Sequence, residues 1–156
     1  LLENLIDEER GAENHPELWK RFAEALGESR KAVEEEKLFD ETKNLVDTFF
    51  HLSQSSYAEG LGALFAYEQQ VPEIAQSKID GLKKFYGISS EEALKFFSVH
   101  LKADVYHSQA CANLLEKLNP EEQEKAKAAA LKAADALWKF LDGVHSYCGA
   151  ELIKKC

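Results

Sequence analysis

The sequence contains no methionine and, in 156 residues, only three prolines, eight glycines and three cysteines. So few helix breakers argue against a disordered or fibrous chain. Cys111, Cys148 and Cys156 are odd in number and far apart, which excludes a disulfide framework and a cysteine-based zinc motif and fits a reducing, cytoplasmic setting. Positive charge is also scarce. Against 28 Asp and Glu stand 19 Lys and Arg, and the formal net charge of -9 is the wrong sign for nucleic acid or an anionic membrane as main partner. No apolar run approaches the length of a membrane span, and the opening LLENLIDEER is too acidic for a signal or transit peptide. With no initiating methionine and a start in mid-pattern (Leu1, Leu2, Leu5, Ile6), the chain reads as lacking a preceding segment.

What is there is one domain's worth of chain, residues 1–156, 45% hydrophobic and 30% charged. Helical periodicity runs almost throughout and strand-like alternation is hard to find, so the fold class is all-α. The first helix is expected to stop near Gly11 and the second to begin at Asn14-His15-Pro16, where Pro16 suits a first turn. A turn at Gly27-Glu28-Ser29 precedes helices over about 41–52 and 57–70, and Pro72 kinks or restarts the chain. The next helix ends at Gly87. Ser89 or Ser90 then caps a long one to about Leu118, and Asn119-Pro120-Glu121-Glu122 opens the last. Short loops make sequential helices antiparallel.

The long helix carries the chemistry. Its inward stripe steps Phe97, His100, Asp104, His107, Cys111, Leu114, Leu118, so that H-x3-D-x2-H puts two imidazoles and a carboxylate on one face within two turns. A lone buried His is ordinarily a hydrogen-bonded core residue, but a triplet interrupting an apolar seam carries a desolvation cost that a metal ion removes. A second seam, Tyr57, Leu61, Leu64, Glu68, Val71 and Ala75, holds one acid, Glu68, whose plain alternative is a core-edge salt bridge. Continued past Pro72, the stripe reaches Lys78, Leu82 and Phe85. Lys78 is then either a partly buried amine with a depressed pKa or a snorkelling lysine with its head in water. Near the start, Leu1, Leu5, Glu8, Ala12 and His15 share a stripe only if the helix survives Gly11 and Pro16, and spacing alone favours a solvated Asp7-Glu8-Glu9 cluster. His51 and His145 read as packing residues, and Trp19, Trp138, Phe96 and Phe140 as core.

The segments NLIDEERGAENHPELW, YEQQVPEIAQSKIDGLKKFYG and FFSVHLKADVYHSQA resemble the CADD family, named for a Chlamydia protein associating with death domains, among the haem-oxygenase-like dinuclear metal oxidases. The likeness spans nearly the whole chain and rests on E-x6-H, YE-x-Q-x-P and H-x3-D-x2-H in that order. It implies a haem-oxygenase-like helical bundle that lacks its first helices here. By resemblance, Glu8 and His15 form the first ligand pair, Glu68 the middle carboxylate, and His100, Asp104 and His107 the rest. Three carboxylates against two divalent ions leave a modestly cationic centre, and mixed nitrogen and oxygen donors without thiolate suit iron or manganese, as Fe/Fe or Fe/Mn.

The implied activity is an O2-dependent oxygenase of folate biosynthesis. It makes para-aminobenzoate from a tyrosine of the protein itself, a reagent rather than a turnover enzyme. The consumed tyrosine is expected ahead of this chain, so Tyr57, Tyr67, Tyr86, Tyr106 and Tyr147 are not candidates for it. Tyr67, beside Glu68, matches a family tyrosine placed to relay an electron or radical, its alternative being core packing. Lys78 matches a family lysine implicated in handling nitrogen. Three rivals stand against this: the same centre acting on a diffusible small molecule, a metal-free relative resembling thiaminase or the cofactorless quinone-forming oxidase, and a death-domain-binding protein using its acidic surface and last helix. A homodimer through an exposed apolar groove is a further expectation.

Overall fold

The computed structural model describes residues 1–154, with side chains described through Gly149, so Cys156 lies outside the described residues. Every regular element among the described residues is a helix: α1 (Leu2–Glu9), α2 (His15–Ala25), α3 (Arg30–Glu35), α4 (Asp40–Ser55), α5 (Tyr57–Glu68), α6 (Val71–Tyr86), α7 (Glu91–Leu115) and α8 (Pro120–Lys154). No helix among them is long and apolar enough to cross a membrane. Contacts divide the chain into two compact units, Leu1–Glu36 with Glu68–Cys111, and Lys37–Tyr67 with Ala112–Cys156.

The punctuation follows backbone chemistry. Asn14 Oδ1 accepts from Glu17 N at 2.9 Å at the start of α2, and Ser90 Oγ accepts from Ala93 N at 3.3 Å at the start of α7. Gly87 takes a left-handed φ of 68° that closes α6, with Ile88 N donating to Leu82 O. Asn119 Oδ1 accepts from Glu122 N while Glu122 Oε2 accepts from Asn119 N, a reciprocal capping box that opens α8. The short α3, which hydrophobic periodicity did not reveal, starts on a Ser29 cap. A two-pronged ion pair from Arg30 to Glu17 ties it to α2, and with Arg21 it holds the Glu17 carboxyl down at about 2.

In the first unit, Phe22, Ala75, Ile79, Leu94 and Phe97 form the core. Aromatic edges lock α2 to α7, with ring centroids 5.0 Å apart for Phe22 and Phe97 and 4.8 Å for Trp19 and Phe96. Trp19 nevertheless stays 45% exposed, at the rim of the core rather than inside it. On α6 the inward stripe is Ala75, Ile79 and Leu82, and Lys78 is exposed, as is Phe85. The drawn stripe keeps Ala75 and Leu82 but fails at Lys78 and Phe85, because the inward step from Ala75 is four residues to Ile79 and not three to Lys78. Tyr57, at the other end of that drawn seam, is exposed as well.

In the second unit, Leu52, Ala63, Ala66, Ala129 and Ala133 form the core. Alanine allows close helix approach, and α8 turns Ala126, Ala129, Ala133 and Ala136 inward. Trp138, two residues past Ala136 and therefore about 200° round the helix, is 68% exposed rather than core. His51 and His145 are also exposed and do not act as packing residues. At Gly62 a Cβ would stand 2.1 Å from Ala126 O, so only glycine fits that crossing, whereas a Cβ at the helical Gly81 would meet nothing within 4 Å.

Gly62→Ala is therefore expected to destabilise the protein by about 1–3 kcal/mol through overpacking, and Gly81→Ala to stabilise it by about 0.4–1 kcal/mol through a stiffer unfolded chain. Urea denaturation midpoints check both, and equal shifts would refute the assignment of Gly62 to a tight crossing.

Candidate metal centre

All six residues singled out by the motifs lie in the first unit. α7 supplies three of them from one face: His100, Asp104 and His107 are each at most 5% exposed. Glu68, the last residue of α5, is 4% exposed, and His15, the first residue of α2, is 7% exposed. Glu8 comes from the exposed α1. The helix does break at Gly11, whose φ is 87°, yet that break brings Glu8 and His15 together: His15 Nδ1 lies 2.6 Å from Glu8 Oε2. A continuous stripe was therefore unnecessary for the pair to meet.

Two triads result. Donor atoms of Glu8, His15 and His100 lie within 4.8 Å of one another, and so do those of Glu8, Asp104 and His107. Glu8 is common to both. Glu68 belongs to neither triad, but its Oε2 is 3.6 Å from His107 Nδ1, and Asp104 Oδ1 is 3.5 Å from the same nitrogen. Those separations are too long for hydrogen bonds. Asp104 Oδ1 and His107 Nδ1 are buried with no hydrogen-bond partner, a costly arrangement for a chain with nothing else to place between them. A divalent cation satisfies both atoms at once, and oxygen and nitrogen donors without thiolate suit iron or manganese.

The rings are also aimed. His100 Nδ1 donates to Phe96 O at 2.5 Å, so that Nε2 is the nitrogen that could bind a cation. The rings of His15 and His100 lie 4.2 Å apart, and Phe96 packs 4.4 Å from His100. Burial, reinforced by the negative charge of Glu68, pushes the Asp104 carboxyl up to about 7. Burial raises Glu68 too, against the hydrogen bond from Asn4 and the charge of His107. It pulls His100 down, and it acts the same way on His15, where the hydrogen bond and charge of Glu8 outweigh it and raise the pKa.

A family model described as an iron-containing redox enzyme matches residues 1–139. The chain belongs to this iron-containing redox enzyme family. Its fold is accordingly haem-oxygenase-like and all-α. Within the family the chain is 52% identical over 153 residues to a 4-aminobenzoate synthase of Nitrosomonas europaea, covering 95% of this chain and 62% of that protein. It is 38% identical over 143 residues to a 4-aminobenzoate synthase of Chlamydia trachomatis, covering 91% of this chain and 62% of that protein. A pyrroloquinoline-quinone synthase of Ruegeria pomeroyi is 28% identical over 135 residues, 81% of this chain and 54% of that protein. The chain thus spans about three-fifths of the length of the 4-aminobenzoate synthases it matches, and it bears out the CADD-like resemblance.

Tyr67 and Lys78, the two residues expected to assist the metals, are both exposed. The Tyr67 ring meets Phe49, 6.1 Å between centroids, in the second unit, and Lys78 is exposed on α6, not the semi-buried amine that spacing allowed. Two residues of α1 were missed. Asn4 donates to Glu68 and Asp7 pairs with His107, although the acidic run had read as a solvated face. The available clue was that Asp7 and Glu8 stand three and four residues after Asn4, which puts them on the Asn4 side of the helix.

The shifted groups set a pH dependence for metal-free protein. Between its ordinary value of 3.8 and about 7, folded Asp104 holds a proton that the unfolded chain has lost. Its stability contribution therefore falls as pH rises through that window. Glu68 and His15, both raised, act in the same sense, and the lowered His100 opposes them below its ordinary value of 6.5. Asp104→Asn should stabilise metal-free protein at pH 8 by about 1–3 kcal/mol while weakening metal binding. Urea titrations of chelator-treated protein at pH 5 and pH 8 check this; a stability loss at pH 8 would contradict it.

Proposed function

We propose that this chain carries the dinuclear centre of an O2-dependent oxygenase that makes 4-aminobenzoate, with Glu8, His15, Glu68, His100, Asp104 and His107 as metal ligands. The carrying observation is the pair of triads sharing Glu8, next to two buried atoms with no partner. Membership of an iron-containing redox family and two relatives named 4-aminobenzoate synthase supply the class of reaction. The metals are Fe/Fe or Fe/Mn, and the carbon skeleton is a tyrosine of the protein itself, consumed in a single turnover. Residues 1–156 act as part of one haem-oxygenase-like domain, and the free thiols of Cys111 and Cys148 suit a reducing cytoplasm.

When bound, two such ions supply the electrons and open positions that O2 chemistry needs. The chain's own residues do the rest. Phe96 O fixes the His100 ring, and the Trp19–Phe96–Phe97 edge-to-face cluster holds that part of α7 still. Burial holds the Asp104 carboxyl up at about 7, so serving as a metal ligand would require it to release its proton, and metal binding would be coupled to proton release. The burial of His107 and Asp104 keeps bulk water off that side of the centre. Tyr67 as relay and Lys78 as nitrogen handler belong to the proposal on the family resemblance alone.

The test is rescue of a para-aminobenzoate auxotroph by the full-length protein. Wild type is expected to restore growth, and the double variant His100→Ala, His107→Ala to lose it entirely while remaining helical by circular dichroism. Rescue by that variant would rule out the metal-dependent oxygenase. Turnover of an added small molecule by protein with all tyrosines intact would instead favour a diffusible substrate.

A further inference from the structure

Two side chains outside the six-residue set reach into it from α1. Asn4 Nδ2 donates to Glu68 Oε1 at 2.8 Å, and Asp7 Oδ2 lies 3.2 Å from His107 Nε2. Asn4, Asp7 and Glu8 are spaced three and four apart, on one face of the helix. α1 buries no residue and leaves Leu2 71% and Leu5 57% exposed, so apolar packing does not account for its position. The polar contacts of that one face do: Asn4 to Glu68, Asp7 to His107, Glu8 to His15.

The Asp7 contact also has a chemical direction. A carboxylate only accepts hydrogen bonds, so the pairing places the His107 proton on Nε2 and the lone pair on Nδ1. Nδ1 is the buried, unpartnered atom that faces Asp104 Oδ1 and Glu68 Oε2. Asn4 occupies the other oxygen of Glu68, Oε1, and so leaves Oε2 turned toward the same nitrogen. Three lone-pair atoms from three residues thus converge, each held there by its own backbone or by a residue of α1.

We propose that Asp7 and Asn4 are positioning residues of the metal centre: Asp7 holds His107 with Nδ1 as its ligand atom, and Asn4 turns Glu68 so that Oε2 faces the same point. The proposal rests on the metal-centre assignment above and adds to it which nitrogen of His107 binds and what fixes it. It also gives α1 a second task besides supplying Glu8. Loss of an orienting partner of this kind typically costs about 10–100-fold in metal affinity.

The experiment uses the full-length protein and Mn(II) alone as probe, with binding isotherms recorded for wild type, Asp7→Ala, Asp7→Asn and Asn4→Ala. Imidazole 15N NMR of metal-free wild type, assigned by loss of the signal in His107→Gln, reads the tautomer. The expected results are a proton on Nε2 of His107 and two Mn(II) sites in wild type. In Asp7→Ala and Asn4→Ala one of those sites should weaken by about 10–100-fold, with the other kept. Asp7→Asn, whose amide oxygen still accepts from Nε2, should recover most of the loss. If wild type binds two ions and both alanine variants bind as tightly, or if His107 carries its proton on Nδ1, the positioning role is overturned and the metal centre stands. If folded wild type binds no Mn(II) or Fe(II), the centre itself fails and this inference with it.

Discussion

The first unit is organised around the cost of burying ionisable groups without partners. Asp104 Oδ1 and His107 Nδ1 sit out of water, face one another at 3.5 Å, and accept no hydrogen bond. In a protein interior such atoms are paired, protonated or bound to a cation. Metal-free, the centre falls back on protons, as the raised Asp104 and Glu68 carboxyls record. In the proposed metal-bound state the same groups would serve as ligands, and the energy spent in burying them would return as metal affinity. The aromatic packing between α2 and α7 is what makes this arrangement durable, because it fixes the backbone from which His15, His100 and the α7 ligands project.

Most of this was legible in the sequence, for reasons that differ from element to element. The H-x3-D-x2-H spacing put its three groups on one face because a helix leaves them no other choice, and α7 buries all three. Gly87, Ser90 and Asn119 marked their helix ends because capping is local chemistry, decided within a few residues. Glu8 and His15 were a different matter. No periodicity joins two residues across a left-handed glycine, and only the resemblance to a known family paired them, as the 2.6 Å contact then did in space.

What was not legible has physical reasons too. The seam drawn through Lys78 took a step of three from Ala75 where the buried face of α6 takes a step of four, to Ile79, because a period of about 3.6 residues leaves both choices open in sequence. Trp19 and Trp138 looked like core by size, but Trp19 edges the aromatic cluster of the first unit at its rim, and α8 of the second unit turns its alanines inward, which leaves Trp138 on the opposite side of that helix. Asn4 and Asp7 were hidden because a polar residue at an exposed helix looks the same in sequence whether it meets solvent or the back of a ligand. Their roles depend on tertiary placement.

Family membership adds the kind of chemistry, iron-dependent redox, to a centre whose donors and unsatisfied atoms already call for a divalent cation. The relatives named 4-aminobenzoate synthase are longer than this chain, which spans about three-fifths of their length. The most direct test of the centre is anomalous X-ray scattering at the iron edge from crystals loaded anaerobically with Fe(II). Two peaks are predicted, one among Glu8, His15 and His100 and the other among Glu8, Asp104 and His107, both touching Glu8. A folded, iron-loaded crystal with no peak at these residues, or with a single peak away from Glu8, would contradict the account.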